Sequence, residues 1–230
     1  MKGFTKIVSA LMASAMLISA AGCNLFGGSK IGPSALANYA KGQDADFYDD
    51  ADDFFDLVDD LNGDADNIKK IKNGVYVTLE GKDLKSFFKA SRIGGTAGSS
   101  FSYDKSMVSG TVYYIGAKKN DKQWALMSFS LEFETEEDAE DYFDDSIDQC
   151  ETGIRQLGLS LDTDEDDGEE NGISYYIANA TSSSQGIYEG IYRDGKNVLF
   201  LLAADVGGKD ASKTIEAICE EFGIISPKDA

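Results

Sequence analysis

Two stretches of this chain repeat one succession: an alternating hairpin, a capped helix, then a glycine. The first runs through Val108–Ala117 and Gln123–Phe133 around a turn at residues 118–122, then a helix opened by Thr135 and closed by Gly158. In its second strand Ala125, Met127, Phe129, Leu131 and Phe133 fall on one side, the period-two signature of a half-buried strand. Glu136, Glu137 and Asp138 follow Thr135, where negative charge suits a helix N-terminus. Ala139, Tyr142, Phe143, Ile147, Cys150, Ile154 and Leu157 make that helix's apolar stripe. The second succession runs through Ile187–Arg193, the turn dipeptide Asp194-Gly195 and Val198–Asp205. Asp210 then opens a helix with Ile215, Ile218, Cys219 and Phe222 inward, and Gly223 follows it. The offset is 75 residues at the turns and caps (Thr135 to Asp210) and 76 at the stripes (Ala139 to Ile215).

Residue identity between the units is low, so the expected repeat is architectural; two unrelated halves are the alternative. Hairpin–helix units favour an α+β fold: an antiparallel sheet with helices mainly on one face. The run Val198–Ala204 is continuously apolar and belongs in the middle of that sheet. Ile173–Ala180 and Val75–Leu79 read as further strands, and Ser100–Asp104 as a short one. Asp83 can cap a short helix carrying Leu84, Phe87 and Phe88, and Gly94–Ser100 reads as a loop.

Ahead of these units the chain is acidic. Pro33-Ser34 opens a helical stretch that Gly42 breaks. From Asp44 to Asp66 there are 11 Asp in 23 residues. Phe47, Ala51, Phe54, Phe55, Val58 and Leu61 recur at helical spacing, so Gln43–Asn62 reads as an acidic amphipathic helix that needs its apolar stripe docked.

The first residues have a different character. Lys2 and Lys6 precede an uncharged run from Ile7 to Gly22, too short for a comfortable membrane span and ending in small residues. Its end, Ser19-Ala20-Ala21-Gly22-Cys23, resembles the lipobox of bacterial lipoproteins, with Ala20 in place of the commoner Leu. That resemblance implies a diacylglycerol on Cys23, cleavage before it, and attachment to the lipid bilayer on the extracytoplasmic face of the cell membrane. Two or more acyl chains hold stably where one is marginal. The resulting organisation is a signal peptide at 1–22, a tether at 23–33, an acidic helical segment at 34–72, and an α+β domain at 73–226 with repeat units near 100–158 and 173–224.

Charge narrows the function. Removing Lys2 and Lys6 leaves 19 basic against 41 acidic residues, a formal −22. That excludes nucleic acid and opposes lying flat on an anionic bilayer. There is no His, the commonest general base and metal ligand. No nucleophile–base pair assembles, so neither catalytic nor cofactor-binding residues are expected; a carboxylate pair for glycoside hydrolysis stays open.

Asp162, Asp164 and Asp166 imitate the opening of a calcium loop, but Asp167 stands where the turn needs Gly and Ile173 where a bidentate Glu belongs. Asp162–Glu170 therefore reads as a solvated acidic loop. Cys150 and Cys219 are expected to be buried free thiols. Tyr113, Tyr114, Trp124, Tyr175, Tyr176, Tyr188 and Tyr192 sit on predicted strands. Either some face outward and grip a peptide or glycan, or the Phe-rich N-terminal helix covers them. The expected function is a binding or interaction module of the cell envelope, with an envelope protein, peptide or glycan as partner. A carboxylate hydrolase and a purely structural envelope protein are the alternatives.

Overall fold

The two expected hairpins are present, and they lie side by side. The computed structural model describes residues 29–54, 56–57, 73–90, 102–119, 122–158, 161–207 and 210–230. Its strands are β1 (Asp46–Tyr48), β2 (Val75–Glu80), β3 (Met107–Lys119), β4 (Lys122–Phe133), β5 (Asp162–Glu170), β6 (Ile173–Thr181), β7 (Gln185–Asp194) and β8 (Asn197–Val206). Its helices include α1 (Pro33–Gly42), α2 (Lys82–Ala90), α3 (Glu136–Leu157) and α4 (Asp210–Phe222), and Pro227–Asp229 form a 3-10 turn. All the strands join one sheet in the order β1-β2-β3-β4-β8-β7-β6-β5. Only β1 and β2 pair in parallel. The hairpins β3–β4 and β7–β8 meet at the antiparallel β4–β8 seam, with Phe129 opposite Phe200. Their rings stack at 4.3 Å.

The α+β expectation of helices mainly on one face is wrong. Strand outweighs helix (43% against 36%), the sheet is mixed, and it is covered on both sides. On one face Leu84 and Phe87 of α2, Ala139, Phe143, Cys150 and Ile154 of α3, and Phe54 pack over Val77, Phe129, Ile187 and Phe200. On the other, Leu36 and Ala40 of α1 and Ala211, Ile215, Ile218 and Phe222 of α4 pack over Tyr113, Leu126, Tyr192 and Leu201. The physical reason lies in β8 itself. Val198, Leu199, Phe200 and Leu201 are all buried, so both faces of the central strands need apolar cover.

The same finding limits the expected duplication. A twofold axis that exchanges two antiparallel neighbours in a sheet is perpendicular to it, and keeps each helix on one face. Here α3 lies on one face and α4 on the other, so only the hairpins repeat.

Caps and turns behave as their residues dictate. Thr135 is the N-cap of α3, its hydroxyl accepting from the Asp138 N–H at 3.1 Å. Gly223 follows α4 with φ +65°. The stretch read as one acidic helix over Gln43–Asn62 begins otherwise: residues 46–48 are strand β1, and helix starts only at residue 51. Phe47, counted in the helical stripe, lies on β1 and is exposed. Residues 102–104 form no strand. Gly94–Ser100 and Cys23 lie outside the described residues.

Candidate functional site

With both faces covered, the open surfaces are the sheet's edges and ends. The edge strand β5 contains seven carboxylates in nine residues. Asp162–Glu170 is not the solvated loop expected from its composition: it pairs with β6 along its whole length, Asp162 opposite Thr181 through Glu170 opposite Ile173. Asp is depleted in strands, so pairing overrides propensity here. The overlooked signal is Asn171-Gly172. Both residues have positive φ, 57° and 80°, the geometry of a type I′ hairpin turn. That turn forces the acidic run back along β6.

Strand geometry settles where the calcium-like residues go. Asp162, Asp164 and Asp166 share one face of β5, opposite Thr181, Asn179 and Ile177. Alternate strand residues stand about 6.5–7 Å apart, whereas a calcium loop curls its ligands around one ion. Among the described residues, no three acidic or Cys side chains are grouped to hold a metal. Two tyrosines of β6 hold the acids in place. Tyr175 donates to Asp166 at 3.2 Å and Tyr176 to Glu165 at 3.0 Å. Burial, and then the Glu165 bond, push the Tyr176 phenol well above its ordinary range, so it remains a donor.

The tyrosines weighed as an outward binding face are mostly core. Tyr113, Tyr114, Tyr176, Tyr188 and Tyr192 are buried; Trp124 and Tyr175 are half-buried. The cover is not the Phe-rich segment alone. Tyr39 of α1 meets Tyr113 edge-on at 5.9 Å. Tyr192 donates to the Ile225 carbonyl at 2.7 Å, beneath the C-terminal segment. Asn179 is likewise buried, giving its amide to the Pro227 carbonyl at 3.2 Å.

At one end of the sheet lies an open polar groove of about 580 Å³ between the β7–β8 turn and the starts of α1 and α3. Its carboxylates are Glu132, Glu136 and Asp194; its cations are Lys30 and Lys196. Asp194 Oδ2 accepts from Ser29 Oγ at 2.7 Å and from the Lys30 N–H at 3.1 Å. Glu132 accepts from Ser109 at 3.0 Å. Lys196 donates to the Glu134 carbonyl at 2.6 Å. The two Asp194 contacts tie the start of the described chain to the sheet.

Cys150 and Cys219 are both free and buried. They belong to opposite faces, so the sheet separates them. Burial pushes both thiols up; Glu189 adds to the effect at Cys150, and Cys219 reaches about 12. Neither is a thiolate nucleophile at neutral pH.

No helix among the described residues is long and apolar enough to cross a membrane. No protein-family model matches the chain, and no curated protein matches it in sequence. Among solved structures, the extracellular domain of PknH from Mycobacterium tuberculosis is similar over 51% of this chain and 66% of that domain, at 10% identity and a TM-score of 0.32. A likeness that loose supports neither a shared fold nor a function.

Proposed function

We propose that this is a lipid-anchored, extracytoplasmic binding module that holds a cationic partner along the β5 edge. The anchor reading is supported by Ala20-Ala21-Gly22-Cys23. The observation that carries the binding reading is β5 itself: an edge strand paired only with β6 among the described residues and lined with seven carboxylates. An extended chain adds to such an edge through main-chain hydrogen bonds, and its side chains select by charge. Lys and Arg are the side chains that an acidic rim attracts, at a strength that falls with salt.

The test uses the processed protein on vesicles and a Lys-rich extended peptide. The unaltered chain binds the peptide in a salt-sensitive way. The triple change Asp164→Asn, Asp166→Asn, Asp167→Asn removes that binding while leaving the fold's melting transition in place. Undiminished binding by the triple variant overturns the assignment to β5. Separately, Cys23→Ser abolishes lipid labelling and vesicle attachment; a Cys23→Ser protein that stays labelled overturns the anchor.

A further inference from the structure

We propose that the domain stands upright on the bilayer, on the end of the sheet that carries the Asn171-Gly172 and Asp194–Lys196 turns, and that this end is the surface that meets lipid headgroups. The inference rests on the anchor at Cys23.

Its first observation is a latch. Asp194 receives Ser29 Oγ and the Lys30 N–H, and the Ile31 N–H turns back to Ser29 Oγ at 3.1 Å. Ile31 is fully buried, and its carbonyl accepts from the buried Ser130 hydroxyl at 2.6 Å. The chain therefore enters the fold at Ser29 and nowhere later. From Cys23 to Ser29 there are six Cα–Cα steps, which span at most about 20 Å however they are arranged.

Its second observation is the length of the domain along the sheet. Helix α3 alone has 22 residues, about 33 Å at 1.5 Å per residue. It starts at the latched end, beside the close of β4, and runs to the opposite end. The β6–β7 turn at residues 182–184 lies at that opposite end, since Ser174 pairs with Arg193 and Thr181 with Gly186. The tether is thus shorter than the domain, and the far end reaches headgroups only if the domain lies on its side.

The third observation is charge. A domain lying on its β5 edge sets that strand's acids against the bilayer, and one lying on its α3 face sets Glu137, Glu140, Asp141, Asp144, Asp145 and Asp148 against it. An anionic leaflet repels both. The latched end carries Lys30 and Lys196 among Glu132, Glu136 and Asp194, so unlike β5 it holds cations that an anionic leaflet attracts.

The test uses the acylated, processed chain in vesicles of phosphatidylethanolamine and phosphatidylglycerol with a nitroxide on a fraction of the headgroups. One fluorescent label is placed at the latched end through Glu137→Cys, another at the far end through Ser183→Cys. Both positions are exposed, and native Cys150 and Cys219 are buried and do not compete. The Glu137→Cys label loses most of its emission to the nitroxide, and the Ser183→Cys label keeps nearly all of it. Inserting a Gly/Ser segment of about twelve residues after Gly28 narrows the difference, because the tether's extended reach, about 60 Å, then exceeds the domain's length. Equal quenching of the two labels in protein that floats with the vesicles overturns the orientation and leaves the anchor standing. A difference undiminished by the longer tether overturns it as well. Protein that does not float with vesicles overturns the anchor, and the orientation with it.

Discussion

Gly190 sits on β7 under the C-terminal segment, and the space for a side chain there is already taken. A Cβ would stand 2.5 Å from the Tyr192 hydroxyl and 2.9 Å from Pro227 Cγ. Gly190→Ala therefore forces the tail off Tyr192, and its expected cost is about 1–3 kcal/mol in a denaturant melt. Ser128 presents the reverse case. Its hydroxyl is buried with no hydrogen-bond partner among the described residues. Removing a desolvated, unpaired hydroxyl costs nothing in bonding, so Ser128→Ala leaves the melting temperature unchanged or raises it.

Titration at the residue scale points to the alkaline side, because there is no His. Burial, then the nearby Glu221 charge, carry the Tyr39 phenol from its ordinary 10.0 to about 12. Burial carries the Cys219 thiol from 9.0 to about 12. Burial also raises Cys150, Tyr142 and Tyr192. Above pH 9 the unfolded chain releases these protons while the folded chain keeps them. The stabilising contribution is whole below pH 9 and is lost progressively as the pH climbs towards about 12. Denaturant midpoints taken from pH 7 to 11 fall above pH 9 by this reasoning. A profile flat to pH 11 shows that these groups are solvated.

At the scale of elements, β5 has two physical consequences that separate experimentally. Charge on an edge strand blocks pairing with other copies of the chain. Replacing Asp164, Asp166 and Asp167 by Thr improves strand propensity and removes that block. The expected outcome is a domain at least as stable that self-associates in sedimentation, whereas the Asn triple variant tests partner binding. A monomeric Thr variant shows that the carboxylates do not guard the edge.

What the chain discloses about its elements follows the same physics. The hairpins and α3 and α4 are legible because their apolar periods agree with local signals: Thr135 with its first-turn acids before α3, Gly223 after α4, Asp194-Gly195 between two alternating runs. β5 is illegible by composition and legible only through Asn171-Gly172, whose positive φ values set a register that propensity opposes. β1 is concealed because Phe47 falls in phase with Ala51 and Phe54, although Asp44 at φ +57° breaks the path between α1 and β1. The face each helix takes depends on connections across the sheet, and residue spacing carries none of that. The groove at the latched end is equally hidden, since Ser29 and Asp194 are 165 residues apart.

Across the whole molecule the charge is lopsided, 21 basic residues against 41 acidic, and the acids are spread over α3, β5 and the N-terminal part rather than gathered round a point. Self-repulsion of that size destabilises the folded state, and any cation relieves it. A specific calcium site of about millimolar affinity, given ten times that concentration of calcium, adds roughly 1.4 kcal/mol. In a chain this long that is about 3–6 °C of melting temperature. A diffuse atmosphere has another signature: magnesium reproduces the rise, and sodium chloride erodes it, because the Debye length shrinks from about 10 Å at 0.1 M to about 3 Å at 1 M. The extended path of Asp162, Asp164 and Asp166 along β5 favours the diffuse case. Melts of the processed protein in calcium, in magnesium and in matched sodium chloride are expected to rise alike for the two divalent ions and to converge at high salt. A rise specific to calcium that persists at 1 M salt and vanishes on Asp164→Asn contradicts this, and makes β5 a calcium site rather than a rim for a cationic partner.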